Sequence, residues 1–512
     1  MSYLARLLIA AAVLWLGAAA PARAAWLRAE SDNFIVYSEG GENRLRQQVR
    51  VLEDYAALLR RLSGAAAAAS PSKLSVYLVS GTGDLRRVSA RIGSNVGGFY
   101  AARPTGIAAF VDTAADFDSN EVLFHEYAHH FMMQHYDHAY PPWYVEGFAE
   151  YMMTARFTER HVEFAQASPM RASWLGNTAE WLPMERVLFE SGGIESDQGR
   201  ARYYAQSWAL THYLMRDPAR VAKLRAYIAA LNRGEEPRQA FRTSFGMSPS
   251  ELQRAVQSYV FGSLTYLRMD RASIAQAPRV EIVRLPPSAD DLLLLQASIM
   301  LGGQEPEALL ARVRRAAAQH EDPFARRVLA EAETFYGDPA VSERLLGELI
   351  ATNPGDAELL YLRGMRDLLA GEREEAQRAS HYRRARVWFA RAHRINSNHF
   401  QTLYRYAQTF SAESGFLSDN NAEVLLLAHN LAPQVSEIRM NAATLLLERR
   451  EYDLAETLLV PLASTAHEGG FSAAARELLA RARARDTSGV APAFDAPAGE
   501  DDPRARRGGE MQ

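Results

Sequence analysis

The stretch His125-Glu126-Tyr127-Ala128-His129 governs the reading of this 512-residue chain. It has the form H-E-x-x-H and follows Asp118-Ser119-Asn120-Glu121, a helix-opening signal. Ser119 or Asn120 is the expected cap, because a side-chain oxygen there satisfies orphan N–H groups of the first turn. A four-residue step on a helix sets His125 and His129 one above the other on one face. Two imidazoles so placed can share one metal ion. Glu126 lies beside them, where a carboxylate can take a proton from water.

A catalytic zinc site takes a third protein donor and leaves a fourth position for water. The next stretch offers carboxylates: Pro141-Pro142-Trp143-Tyr144-Val145-Glu146-Gly147-Phe148-Ala149-Glu150-Tyr151. Its two prolines stop one helix and start another. Glu146, seventeen residues after His129, is expected in the first turn of this second helix. Glu150 follows one turn later on the same face. A bare H-E-x-x-H also describes a surface helix with two histidines. The E-G-x-A-E that follows a Pro-Pro break sets this chain apart from that case.

Together, H-E-x-x-H and W-x-x-E-G-x-A-E-Y resemble the gluzincin metallopeptidases, and more narrowly the small peptidase-MA-like proteins. The resemblance implies an α+β zincin-like metallopeptidase domain, a small sheet plus helices, with one Zn2+ ion. It implies His125, His129 and Glu146 as metal ligands and Glu126 as the catalytic base. Glu150 matches the carboxylate that orients a zinc histidine through its other ring nitrogen. Further on, Tyr204-Ala205-Gln206-Ser207 also looks like these proteins. Tyr204 is the candidate catalytic phenol for a tetrahedral oxyanion, or else an aromatic that fills core; Tyr203 is the weaker candidate. His130, His135, His138 and His212 read as packing or surface residues.

Residues 1–24 read as a signal peptide. Arg6 supplies the positive charge, Leu7 to Ala20 an apolar run, and Ala22-Arg23-Ala24 a small-x-small cleavage site. The alternative is an uncleaved anchor. No later stretch is long and apolar enough to span a bilayer. The chain has no cysteine, so no disulfide framework is possible. An exported protein, in a bacterial periplasm, is the expected setting. The formal charge of −4 is small and argues against nucleic-acid binding.

Between the signal and the H-E-x-x-H, residues 26–63 read as a strand, Asn33 to Ser38, and a long helix. That helix carries Leu45, Val49, Leu52, Tyr55, Leu58 and Leu59 at helical spacing. A connector at residues 65–72 leads to an alternating strand, Lys73 to Ser80. Gly98 to Ala102 and Ile107 to Asp112 read as a hairpin around Pro104-Thr105-Gly106. After the second metal helix come a hairpin within Arg156 to Gln166 and a loop from Gly192 to Gly199. A helix then runs from Arg202 to Met215, and another from Pro249 to Val260, with Ser248 and Glu251 as a capping box. The metallopeptidase unit is expected to span residues 25–270 and to fold by itself.

From Ser288 the chain becomes helical hairpins rich in Ala, Leu, Arg and Glu. Asn353-Pro354-Gly355-Asp356, Asn396-Ser397-Asn398-His399 and Ala432-Pro433-Gln434-Val435 punctuate it at spacings of 43 and 36. These exceed the period of about 34 of tetratricopeptide repeats. Residues 288–485 are therefore expected to form an all-α, divergent TPR-like solenoid, or an irregular helical bundle. Residues 486–512, rich in Pro, Gly and charge, read as a disordered tail.

The expected function is that of a secreted zinc metalloendopeptidase acting on a peptide or protein substrate. Its helical repeats would recruit a protein partner or the substrate. Internal cleavage follows from one absence. Gluzincin aminopeptidases carry a Gly-x-Met-Glu-Asn strand whose glutamate holds the substrate α-amine. The stretch Val96 to Arg103 here has no acidic residue, and an α-ammonium without a counter-charge loses hydration with no return. The second reading is a catalytically inactive zinc-binding TPR scaffold.

Overall fold

The computed structural model describes residues 26–65, 72–93, 96–114, 118–135, 138–190, 194, 196–262, 264–274, 278–411, 413–464 and 470–494. The signal segment, most of the connector at 65–72, and residues 192, 193 and 195 of the expected loop lie outside them. Among the described residues no helix is long and apolar enough to cross a membrane.

The chain opens with β1 (Leu27–Glu30) and β2 (Phe34–Ser38), then α1 (Glu42–Ser63), β3 (Leu74–Val79) and α2 (Thr82–Val88). The hairpin β4 (Gly98–Arg103) and β5 (Gly106–Asp112) precedes α3 (Ser119–His135), which carries H-E-x-x-H, and α4 (Pro142–Met153). Then come β6 (Arg156–Phe157), β7 (His161–Phe164), α5 (Pro169–Leu175), α6 (Met184–Phe189) and α7 (Asp197–Met215). Helices α8 (Pro218–Asn232), α9 (Pro237–Phe245) and α10 (Pro249–Val260) follow, and then β8 (Leu267–Asp270) and β9 (Glu281–Arg284). Strand β1 and the strands after residue 260 are additions to the sequence reading. At four residues each they are too short to announce themselves by alternation.

Six strands form a mixed sheet in the order β4-β5-β3-β2-β1-β9. Strands β2, β3 and β5 are parallel, with Val36 opposite Val76 and Val76 opposite Ala109. Strand β4 runs antiparallel to β5 and forms one edge. A second, antiparallel sheet has the order β6-β7-β8. One face of the large sheet packs on α1 and α3 through Phe34, Val76, Ala109, Leu52, Tyr55 and Tyr127. On the other face Tyr37, Tyr77, Phe110 and Phe99 stack across four strands, with centroids 4.7 Å apart at each step.

The remaining helices are α11 (Ala289–Leu301), α12 (Pro306–Ala317), α13 (Pro323–Tyr336), α14 (Pro339–Thr352), α15 (Ala357–Arg373) and α16 (Arg378–Ile395). They continue as α17 (Phe400–Gln408), α18 (Asp419–Leu431), α19 (Ser436–Glu448), α20 (Tyr452–Ala463) and α21 (Gly470–Ala484). Each packs on the next, giving the expected helical-repeat region. The two parts are fused. Leu293, Leu294 and Ala297 of α11 bury Tyr77, Val79, Phe99 and Phe110 of the sheet. Strand β9 pairs with β1 beyond residue 270, so the sheet extends past the boundary read from sequence. Residues 486–494, expected in a disordered tail, are ordered against the repeats: Phe494 lies beside Tyr404 and Phe416. One aromatic anchor outweighs a polar average there. The rest of that tail lies outside the described residues.

Candidate metal centre

Helix α3 is fixed from below. The Tyr55 hydroxyl of α1 donates to the Phe124 carbonyl at 3.0 Å, and the two rings stack at 4.0 Å. The cap is neither Ser119 nor Asn120. Asp118 Oδ1 accepts the Asn120 N–H at 3.0 Å, while the Asn120 side chain accepts from Gln48 of α1 at 2.7 Å. Helix α4 starts on Pro142, as the proline pair requires. Glu146 is its fifth residue, one position past the first turn of 3.6 residues.

Helices α3 and α4 bring His125, His129 and Glu146 to one point, all buried. His125 Nε2 lies 3.0 Å from His129 Nε2, and Glu146 Oε2 lies 3.5 and 3.3 Å from them. A tetrahedral zinc with bonds of about 2.0–2.1 Å has ligand–ligand edges of about 3.3–3.4 Å. The triangle fits that ion. Two neutral imidazoles cannot aim lone pairs at each other across 3.0 Å without a proton or cation between them. Burial would lower the pKa of His125, yet Glu146 and Glu150 outweigh it and raise the pKa. The two carboxylates thus favour a positive charge at this position, of the kind a divalent cation would supply.

Glu150 stands behind His125, with Oε1 3.3 Å from Nδ1. Arg171 of α5 clamps the same carboxylate, Nε to Oε2 at 2.8 Å and Nη2 to Oε1 at 2.9 Å. Burial pushes the Glu150 pKa up, but Arg171 and His125 hold it down at about 2. Glu150 is thus an anion at neutral pH and selects the His125 tautomer that bears its proton on Nδ1. That leaves the Nε2 lone pair for a metal. Arg171 escaped the sequence reading, because a single arginine in a short helix carries no pattern.

Tyr204 of α7 enters from the third side, edge-on to His125 with centroids 6.3 Å apart. The Arg171 guanidinium carbon lies 5.3 Å from its ring. Burial and the Glu146 carboxylate push its pKa well above the usual phenol value. It stays protonated at neutral pH. Its neighbour Tyr203 is buried in the main core. Gly147 is what lets α4 approach α7: a Cβ there would overlap Thr211 Oγ1 and the Ser207 carbonyl. Gln206 holds the 182 loop, accepting from Leu182 N at 2.8 Å and donating to its carbonyl at 2.9 Å. So in Y-A-Q-S the tyrosine lies beside His125, while Gln206 is turned to Leu182. Glu126 is partly exposed, and no hydrogen bond or ion pair holds it among the described residues.

The other histidines lie apart from the triangle. His130 bonds Tyr100 Oη through Nδ1 at 3.0 Å and meets Gln434 Nε2 of the repeats at 3.2 Å. His212 is buried between Tyr259 and the Thr265 carbonyl, and His135 packs on Phe131. His138 is exposed.

No family model and no curated protein matches this chain. Among solved structures, a thermophilic TPR protein of Thermus thermophilus is similar at 19% identity and a TM-score of 0.31, covering 39% of this chain and 98% of its own. The helical hairpins described above rest on this chain's own structure.

Proposed function

We propose that this chain is a zinc-dependent endopeptidase whose helical repeats recruit the substrate or a partner. The observation that carries the reading is the buried triangle of His125, His129 and Glu146 donors, 3.0–3.5 Å apart, on the helix that also bears Glu126. Zinc in that triangle supplies Lewis acidity toward water and a substrate carbonyl. Glu126 takes a proton from the attacking water as its oxygen bonds to the carbonyl carbon. It then hands that proton to the departing amine nitrogen as the C–N bond breaks. Tyr204 donates a hydrogen bond to the oxyanion formed between these events. Glu150, held by Arg171, keeps His125 in the ligating orientation.

Strand β4 is an edge strand with β5 on one side only, but Gly98 to Ala101 are buried within the chain, so this edge is not open to an extended substrate. A Cβ on Gly98 would meet the Phe110 carbonyl at 2.6 Å and Val122 Cγ1 at 2.9 Å, so the glycine serves the protein's own packing.

Zinc content and hydrolysis of an unfolded protein, measured together, test the reading. Intact chain should hold one zinc and lose activity to a chelator. Glu126→Gln should keep the zinc and lose turnover; Glu146→Ala should lose zinc. Full zinc affinity in Glu146→Ala removes the third ligand. One zinc with no hydrolysis of any unfolded protein favours the inactive scaffold. Peptides of one sequence with free and acetylated N-termini should be cut equally at an internal bond. Stepwise release of single residues from the free peptide alone would mean an aminopeptidase.

A further inference from the structure

The helical repeats enclose a groove of about 590 Å3. Alternate helices line it: α11, α13, α15, α17, α19 and α21 all contribute, with the β4–β5 turn at one end. The remaining lining is the chain's own Gly489 and Ala491-Pro492-Ala493-Phe494. The chain's own tail thus forms one wall of the groove, turning at residues 488–489 and 493–494.

The contacts to this piece are of a transferable kind. Asn441 Oδ1 accepts the Phe494 N–H at 2.7 Å, and Glu448 Oε1 accepts the Ala493 N–H at 2.9 Å. Asn441 is set for this. Its amide nitrogen donates to Tyr404 Oη at 2.9 Å and to the Glu437 carbonyl at 3.0 Å, which turns the amide oxygen to the tail. Tyr404 Oη in turn donates to Glu437 at 2.9 Å. The Phe494 ring lies 5.3 Å from that of Tyr404 and 6.1 Å from that of Phe416. Two backbone N–H groups and one aromatic ring are thus recognised, and many polypeptides carry these. Phe494 also holds φ at 72°, where bulky residues rarely sit, so the groove imposes its backbone conformation.

We propose that this groove is an exchangeable peptide-binding site, held at rest by residues 489–494 and opened when a small-Pro-small-aromatic segment of a protein partner displaces them. The inference rests on the recruitment half of the function proposed above and needs neither metal nor hydrolysis. The tail joins α21 through Thr487-Ser488-Gly489, a short link that presents it at an effective concentration on the order of millimolar. An external peptide with the same contacts competes poorly with the tail in place and well without it.

The probe is a fluorescein-labelled peptide of residues 487–496, followed by anisotropy. The background is Glu126→Gln, so the probe is not cut and loss of zinc or turnover leaves the readout unmoved. Three chains are compared: full length, full-length Phe494→Ala, and a chain ending at Asp486. The two altered chains should bind the probe at least tenfold more tightly than the full-length chain. Asn441→Ala added to either should remove that gain. Equal affinity in all three chains, no binding by the altered chains at 1 mM probe, or a gain that survives Asn441→Ala would each overturn the proposal. Phe494→Ala keeps all residues, so the test stands if the shortened chain fails to fold.

Discussion

Arg171 meets both carboxylate oxygens of Glu150, at 2.8 and 2.9 Å, in a place where neither side chain reaches solvent. Removing one partner leaves the other charge buried and uncompensated, which costs about 3–5 kcal/mol. Arg171→Met should therefore lower the urea midpoint sharply. Glu150→Gln should weaken zinc about 10–100-fold by freeing the His125 ring. A competition titration against a chromophoric chelator reads the second effect. Unchanged zinc affinity in Glu150→Gln would remove Glu150 from the site.

Gly147 offers a separate handle on Glu146. A methyl group at 147 cannot fit against Ser207 and Thr211, so α4 must move away from α7. Overpacking of this kind costs about 1–3 kcal/mol. Gly147→Ala should lose both stability and zinc affinity although it removes no ligand. Wild-type zinc binding in a folded Gly147→Ala chain would show that the α4–α7 crossing does not set the triangle.

His212 predicts a pH dependence of its own. Burial lowers its pKa to about 4, against about 6.5 in an unfolded chain. Between those values the unfolded state holds more protons, so stability rises with pH. The contribution is full above pH 6.5 and is lost as pH falls through 4. At about 1.4 kcal/mol per pKa unit it amounts to roughly 3 kcal/mol. Urea titrations from pH 7 to 4 should show a smaller loss in His212→Gln, and the His212 ring resonances should stay neutral to about pH 4. A ring that titrates near 6.5 in the folded chain would refute this.

A fragment ending at residue 270 should not fold stably. It lacks β9, which pairs with β1, and α11, which covers Tyr77, Val79, Phe99 and Phe110. Each large side chain left uncovered forfeits about 1.5–3 kcal/mol, and together they approach the whole stability of a domain. Aggregation, or loss of a cooperative melt, is the expected result. A monomeric, cooperatively melting fragment would show that the metal-bearing unit ends where the sequence punctuation suggests.

The clustering of His125, His129 and Glu146 and the strands β2 to β5 were legible because each is encoded locally, in a four-residue step, a Pro-Pro break or an alternating run. The capping box at Ser248 and Glu251 was legible for the same reason, and it forms as read. What escaped notice depends on residues distant in sequence. Arg171 matters only because α5 folds back over Glu150. Strand β9 has no alternation of its own and becomes a strand because β1 offers it an edge. The order of residues 486–494 depends on Asn441 and Phe416, which composition counts cannot reach.

The pairing of Leu27 with Arg284 also fixes when this protein can finish folding. Its first strand and its last sheet strand are separated by about 250 residues of chain. Local elements such as α3 and α4 can form early, but the sheet beneath them cannot close until the far partner arrives. Contacts so remote in sequence make folding slow. Chain growth of about 5–20 residues per second leaves β1 with a bare edge for on the order of ten seconds or more. A temperature-sensitive yield of soluble protein is the expected symptom.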